Sequence, residues 1–281
     1  MLNPWLGMGM VLGVFGTLMA GLQAYRRSSP TDPEVLRKLL HLGMGLLTLS
    51  FPWVFASAWP VLLLAALFAI GLAALRIFQP MQRLLGGVID GVHRDSLGEI
   101  YFPLAVGLAF FLAMGDPAEF CTPMLILTLA DTGAALIGAR YGRRRFPSGR
   151  GWKSLEGSIA FLAISFPATL VSLRLLTDTG RAETVLIALV LALLLTLVEA
   201  AAGQGLDNLF IPLGGSLLLR LYRPLDTASL AVHLGVAILL VALFLVVGTP
   251  RPSPSRTRQS PPALVRDRSL EFRRELSHEP L

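Results

Sequence analysis

Cysteine is almost missing from this sequence. Cys121 is the single thiol in 281 residues, which excludes an intramolecular disulfide framework and a cysteine zinc site and leaves it as a small apolar core residue. Charge is scarce as well. Asp, Glu, Lys and Arg make up 15% of the chain against 54% hydrophobic residues, and mean hydropathy is +0.66. That apolar share is too high for a soluble domain, so the chain reads as a polytopic membrane protein. Lysine is rarer still, standing only at positions 38 and 153 where arginine is otherwise the default cation. No internal repeat is present, and no segment is large enough to form a second core.

What is abundant is apolar runs of membrane-crossing length. They fall at 4–24, 38–57, 59–76, 99–115, 119–139, 155–173, 183–200, 207–221 and 229–248, each near the ~20 residues that cross a bilayer as a helix. The first has no cation before it and is longer than a signal-peptide core, so it reads as a retained helix. The expected fold is an all-α polytopic transmembrane helix bundle of about nine spans, seven at the lower bound, over residues 1–248. The tail 249–281 is rich in Pro, Ser and Arg and is expected to be disordered and basic, lying on anionic lipid. Between the third and fourth spans, Met81, Leu84, Leu85, Val88, Ile89 and Val92 recur at helical spacing, predicting a short interfacial helix over 77–98.

The net charge of +6 and pI near 10.2 do not imply nucleic acid, because the cations sit at span ends and in the tail without interleaved aromatics. The positive-inside bias and contact with the lipid bilayer explain them. With the N-terminus outside, Arg26, Arg27, Arg37, Lys38, Arg76, Arg83, Arg94 and the loop after the fifth span lie inside. Arg174, Arg181, Arg220 and Arg223 remain outside.

Several polar residues do not belong in apolar spans, and this topology puts them all toward the inner face. Arg37 and His41 share a helix face, with Lys38 flanking it. Arg37 and Lys38 can be read as a snorkelling helix-end pair; His41 lies a turn deeper. Asp95 and Glu99 open the fourth span, where the helix dipole alone favours acids. Asp131 lies two turns inside the fifth span, where an ionised carboxylate costs about 2.5–3.5 kcal/mol on insertion scales. At regular helical spacing it shares a face with Thr128, Ala135 and Gly138. Close packing through small residues explains the glycines and alanines nearby but not the acid.

The loop that follows carries Arg140, Arg143, Arg144, Arg145, Arg150 and Lys153. Three consecutive arginines there are topology signal before they are phosphate ligands. A lysine in an arginine-using chain points to a site wanting a compact charge. The run around Lys153 and Ser154 superficially resembles a P-loop, but Trp152 replaces the glycine before the lysine and no strand is expected ahead of it. Glu156 falls on the Lys153 side of the next helix, Glu199 ends the seventh span, and Asp207 and Asn208 open the eighth. Asp131, Glu99, Glu199, Asp207 and Asn208 thus offer hard oxygen ligands suited to Mg²⁺ bound through substrate phosphates. Arg37, Lys38, His41, Arg140, Arg143, Lys153 and Ser154 are the candidate phosphate contacts. His93 is expected at the interface, His233 in the core and His278 in solvent.

In this order, RKLLHLGMG at 37–45, GEIYFP at 98–103, LADTGAALIGARYGRRRF at 129–146, KSLEGS at 153–158, and Glu199 with LDNLFIP at 206–212 resemble the phytol kinase and dolichol kinase family. These are membrane phosphotransferases that include CTP-dependent diacylglycerol kinases. The resemblance covers most of 35–215; the first span and the tail lie outside it, and the arginine triplet is more basic than the family pattern. It implies transfer of the terminal phosphate of a nucleoside triphosphate, typically CTP with Mg²⁺, to the hydroxyl of an isoprenoid alcohol such as phytol or another polyprenol. Asp131, Lys153 and Glu156 become catalytic residues, Asp131 as metal ligand or base and Lys153 as phosphate ligand, with Glu199, Asp207 and Asn208 beside them. It also implies a multi-pass protein of a bacterial plasma membrane or comparable internal membrane, with its site on the cytoplasmic face. Two rivals stand beside it: a CTP:phosphatidate cytidylyltransferase, which attacks the α-phosphate instead, and a transporter, in which intramembrane acids mark an ion path.

Overall fold

The computed structural model describes residues 2–28, 33–77, 97–113, 115–149 and 151–248. Residues 78–96 of the interfacial helix expected over 77–98, with Arg83, His93, Arg94 and Asp95, together with Arg150 and the tail with His278, lie outside the described residues. Helix α1 spans Pro4–Ser28 and α2 Pro33–Thr48, followed by a single turn, α3, at Phe51–Val54. Helix α4 is Trp59–Ile77, α5 Gly98–Leu112 and α6 Pro117–Ile126, which runs through a π-helical turn at Leu127–Asp131 into α7, Thr132–Tyr141. Strands β1, Arg145–Ser148, and β2, Gly151–Ser154, precede α8, Leu155–Leu176, α9, Arg181–Ala201, α10, Asp207–Tyr222, and α11, Thr227–Gly248.

The protein is therefore an all-α membrane bundle with one small hairpin. The nine expected spans all appear as helical segments. Six are long and apolar enough to cross a membrane, namely α1, α4, the α6–α7 unit, α8, α9 and α11. Helices α2, α5 and α10, of 16, 15 and 16 residues, are shorter. The second span does not run to residue 57 as expected. Proline at position 52 has no N–H to give the Thr48 carbonyl, and its ring clashes with that carbonyl in a continued helix, so α2 stops and α3 restarts the chain.

The α6–α7 unit is the centre of the bundle. Phe120, Met124, Ile126, Leu127 and Ala130 are fully enclosed, and Phe51, Phe110 and Phe120 close the core with ring contacts. Cys121 is buried there with its Sγ near the Leu49 carbonyl, as a core residue should be. His233 packs edge-on to Tyr222 and bonds the Ser229 carbonyl at 2.8 Å. By contrast, only 11% of the most apolar window of α11 and 17% of that of α1 are covered by other helices; their apolar side chains face lipid.

Pro123 lies inside α6 and cannot donate to the carbonyl of Glu119 four residues earlier. That carbonyl instead accepts the Ser216 hydroxyl from α10 at 2.8 Å, so the backbone group is satisfied without water. The Glu119 carboxylate meets Arg220 at 2.7 Å, and Arg223 pairs with Asp116. These arginines thus tie α10 to α6, a use beyond topology. Trp5 and Trp59, with ring centroids 5.5 Å apart, and Trp53 lie exposed at this same end, as an interfacial aromatic belt would. The opposite end carries the acids and lysines considered next.

Candidate active site

Two buried ion clusters form at one end of the bundle. The first belongs to α2 and the π turn. Lys38 Nζ lies 2.7 Å from Asp131 Oδ2, and His41 Nε2 lies 3.6 Å from the same oxygen. Lys38 and Asp131 are 6% and 8% exposed, so the pair is dry, and its attraction is far stronger than that of a surface pair. Lys38 is no snorkelling helix end: its ammonium turns into the protein. Arg37 and His41 share a face of α2, as their spacing predicts, and both line the cavity beside α1. His41 Nε2 is buried without a hydrogen-bond partner among the described residues.

Asp131 reaches Lys38 because of local backbone. The π turn inserts extra chain into the helix, and the Thr128 and Thr132 hydroxyls bond back to the carbonyls of Met124 and Thr128 at 2.6 and 2.7 Å. Thr128 and Asp131, at either end of the π turn's bend, both face α2, where Asp131 meets Lys38. Thr128 presses on Gly45 of α2, and Gly138 packs against Ser154 and Gly157 of α8.

The second cluster is built by the hairpin. The expected loop is ordered as β1 and β2, paired antiparallel with Phe146 opposite Lys153 and Pro147 opposite Trp152. A strand therefore does precede Lys153, but it is a hairpin partner and not the strand of a P-loop. Alternation turns Phe146 and Lys153 to one face and Trp152 to the other. Phe146 is buried against Phe244 of α11, while Trp152 is exposed. Gly149, at φ +57°, turns the hairpin and lies against Gly203 in the loop after α9.

Docked this way, Lys153 Nζ meets Glu199 Oε1 at 2.8 Å, Asp207 Oδ2 at 3.1 Å, and the Glu199 carbonyl. Ser158 donates to Glu199 Oε2 at 3.1 Å. Burial alone would lower the Lys153 pKa, but the Asp207 and Glu199 carboxylates outweigh it and hold the ammonium above the ordinary lysine range. Lys153 also stands close enough to Asp131 for its charge to act there. The two clusters form one electrostatic unit.

The remaining candidates separate from this unit. The Glu156 carboxylate accepts the backbone N–H groups of Arg143 and Arg144 at 3.1 and 3.2 Å, which shapes the start of the hairpin and points away from Lys153. Ser154 Oγ caps α8 by accepting Gly157 N–H at 3.1 Å. Asn208 donates Nδ2 to the Gly98 carbonyl at 2.9 Å, joining α10 to α5. Glu99 lies on the cavity wall. Arg140, Arg143, Arg144 and Arg145 are exposed around the hairpin. The Lys38–Asp131 pair was missed in the sequence, although the rarity of lysine that singled out Lys153 applies equally to Lys38.

No protein-family model matches the chain, and no solved structure matches it. Three curated proteins do. A phytol kinase of Synechocystis sp. is 30% identical over 216 residues, 76% of this chain and 90% of that protein. A dolichol kinase of Saccharomyces cerevisiae is 35% identical over 127 residues, 44% of this chain and 23% of the relative. A chloroplastic farnesol kinase of Arabidopsis thaliana is 27% identical over 166 residues, 54% of this chain and 52% of the relative.

Proposed function

The chain belongs to the isoprenoid alcohol kinase family, and from that premise we propose that it moves the terminal phosphate of CTP to the hydroxyl of a phytol-class alcohol. It is an integral membrane lipid alcohol kinase; donor, alcohol and residue roles are the proposal. One observation carries it. The buried Asp131, held by Lys38, lies 3.6 Å from His41 Nε2, which makes no hydrogen bond among the described residues, and His41 lines the polar end of the apolar cavity. An alcohol whose chain occupies the cavity would bring its hydroxyl to these two groups.

In this reading the alcohol oxygen attacks the terminal phosphorus and the bond from that phosphorus to the bridging oxygen breaks. The nucleoside diphosphate leaves, and the hydroxyl proton passes to Asp131. Phosphoryl transfer asks mainly for positioning and charge neutralisation. Lys153 would neutralise the phosphates from one side, and the exposed arginines around the hairpin would draw the nucleotide from the cytoplasm by the positive-inside reading. His41 orients the hydroxyl.

Glu199 and Asp207 already share one positive charge between them, the Lys153 ammonium, and this oxygen chemistry fits Mg²⁺. Among the described residues no three His, Cys, Asp or Glu side chains converge as a metal cage, so an ion held here takes its other ligands from phosphate and water. When bound, the ion neutralises the charge on the transferring phosphate.

The hairpin's seat offers a test that leaves these side chains intact. A Cβ at Gly203 would lie 2.7 Å from the Ser148 carbonyl oxygen and 2.8 Å from Gly149 Cα, so Gly203→Ala lifts the hairpin and Lys153 with it. Transfer is expected to fall on the order of 10²-fold, with a raised KM for nucleotide and unchanged helix content by circular dichroism. Unchanged kinetics would remove the hairpin from the site. The donor itself is tested with CTP, ATP, GTP and UTP under saturating phytol. Release of the nucleoside diphosphate from CTP, in preference to the others, is expected; release of pyrophosphate would favour the cytidylyltransferase.

A further inference from the structure

The cavity between α1, α2, α4 and α5 is polar at one end only. Arg26, Arg37, His41, Glu99 and Asn208 gather beside the ion clusters, and the rest of the wall is apolar apart from Thr48, whose hydroxyl is turned to the Gly45 carbonyl at 2.7 Å. At the far end it closes on Val11, Phe51 and Val61, each less than 5% exposed. Along α4 the lining runs from Leu72 to Val61, which at 1.5 Å per residue is roughly 17 Å, a little over half of the ~30 Å hydrocarbon core. The cavity volume is about 190 Å³. Spread over that length, this is the bore of one methyl-branched chain. Two acyl chains side by side do not fit.

Helix α1 makes this a cavity and not an open groove. Phe15 of α1 meets Phe68 of α4 edge-on, with centroids 4.9 Å apart, and closes the side toward lipid. The helix is seated through glycine on both sides: a Cβ at Gly43 of α2 would lie 2.6 Å from Leu18, and one at Gly7 would lie 2.9 Å from Phe55. Residues 4–28 precede the stretch that carries the kinase motifs, so the wall they supply is a feature of this chain that the motifs do not describe.

Resting on the kinase reading above, we infer that this cavity holds one isoprenoid tail, no longer than a diterpenoid, and that Val11, Phe51 and Val61 at its closed end set the chain-length limit. The charge-poor, single-chain bore excludes diacylglycerol by width. A long polyprenol is excluded by depth, because its tail would have to leave past α1. The hydroxyl end is fixed by His41, so each isoprene unit beyond the limit must displace a packed side chain, and overpacking is resisted.

Turnover of farnesol, phytol and a long polyprenol by the wild type and by Val61→Phe tests this. The wild type is expected to use farnesol and phytol and to use the polyprenol at least about ten-fold less well. Val61→Phe is expected to lower the phytol-to-farnesol turnover ratio about ten-fold or more, the discrimination that a displaced methylene or two brings in an apolar pocket. An unchanged ratio overturns the inference while leaving the kinase reading intact. If the variant loses all turnover, the wild type decides with a phytol analogue bearing a diazirine at its tail. Labelling of the peptides containing Val11, Phe51 or Val61 supports the site, and labelling confined to other helices overturns it. A wild type that labels in this way yet phosphorylates no alcohol refutes the kinase reading and not the cavity.

Discussion

Asp131→Asn is expected to lower phosphate transfer on the order of 10²–10⁴-fold, the range for loss of a positioned proton acceptor. The variant also removes the counter-ion of Lys38, which is buried at 6% exposure. Breaking one side of such a pair costs about 3–5 kcal/mol, with the Asn carbonyl recovering part of that through a hydrogen bond. Lost turnover alone therefore does not separate chemistry from folding. The double variant Lys38→Met with Asp131→Asn removes both charges together and should return the unfolding midpoint in detergent close to that of the wild type while turnover stays lost. Recovery of transfer in the double variant would make Asp131 a structural residue only.

Lys153→Met should have an effect of similar size. It leaves Glu199 and Asp207 facing each other without the ammonium that they share at 2.8 and 3.1 Å, and on the proposed reading it removes a charge that faces the phosphates. A loss on the order of 10²–10³-fold in turnover, typical of one preorganised electrostatic group, is expected. Lys153→Arg should not restore it, because a planar fork cannot occupy the place of a compact charge bonded to two carboxylates and a carbonyl. Because the folded-state pKa of Lys153 is raised above 10.5, the stabilisation from its charge is complete below that value and is lost as pH rises through the higher folded value. The difference in unfolding midpoint between wild type and Lys153→Met should thus be constant from neutral pH to pH 9 and shrink only above the ordinary lysine range. A difference that shrinks near pH 8 would contradict the buried ion cluster.

The bundle was legible because crossing a bilayer demands long apolar runs, and those runs are visible without structure. Asp131 stood out for the same reason, as an acid where insertion is costly. What the sequence did not reveal depends on backbone irregularity and long-range approach. The π turn at Leu127–Asp131 is such an irregularity, and nothing in the run of those residues announces it. Lys38 and Asp131 are 93 positions apart, and Lys153 and Asp207 are 54 apart, so their pairing rests on how α2, the hairpin and α10 meet. Glu156 misled because spacing placed it near Lys153 along a helix, whereas Lys153 lies in a strand whose side chains alternate. The second span was read as running to residue 57 because its apolar run continues past proline 52, whose local effect ends α2 at Thr48.

The central claim is tested most directly with the purified protein in detergent, Mg²⁺, phytol, and CTP radiolabelled either at the terminal or at the α-phosphate. Label from the terminal position alone should appear in phytyl monophosphate, with CDP released in equal amount. Label from the α-phosphate in a lipid product, with pyrophosphate released, or label in no lipid at all, would contradict the account.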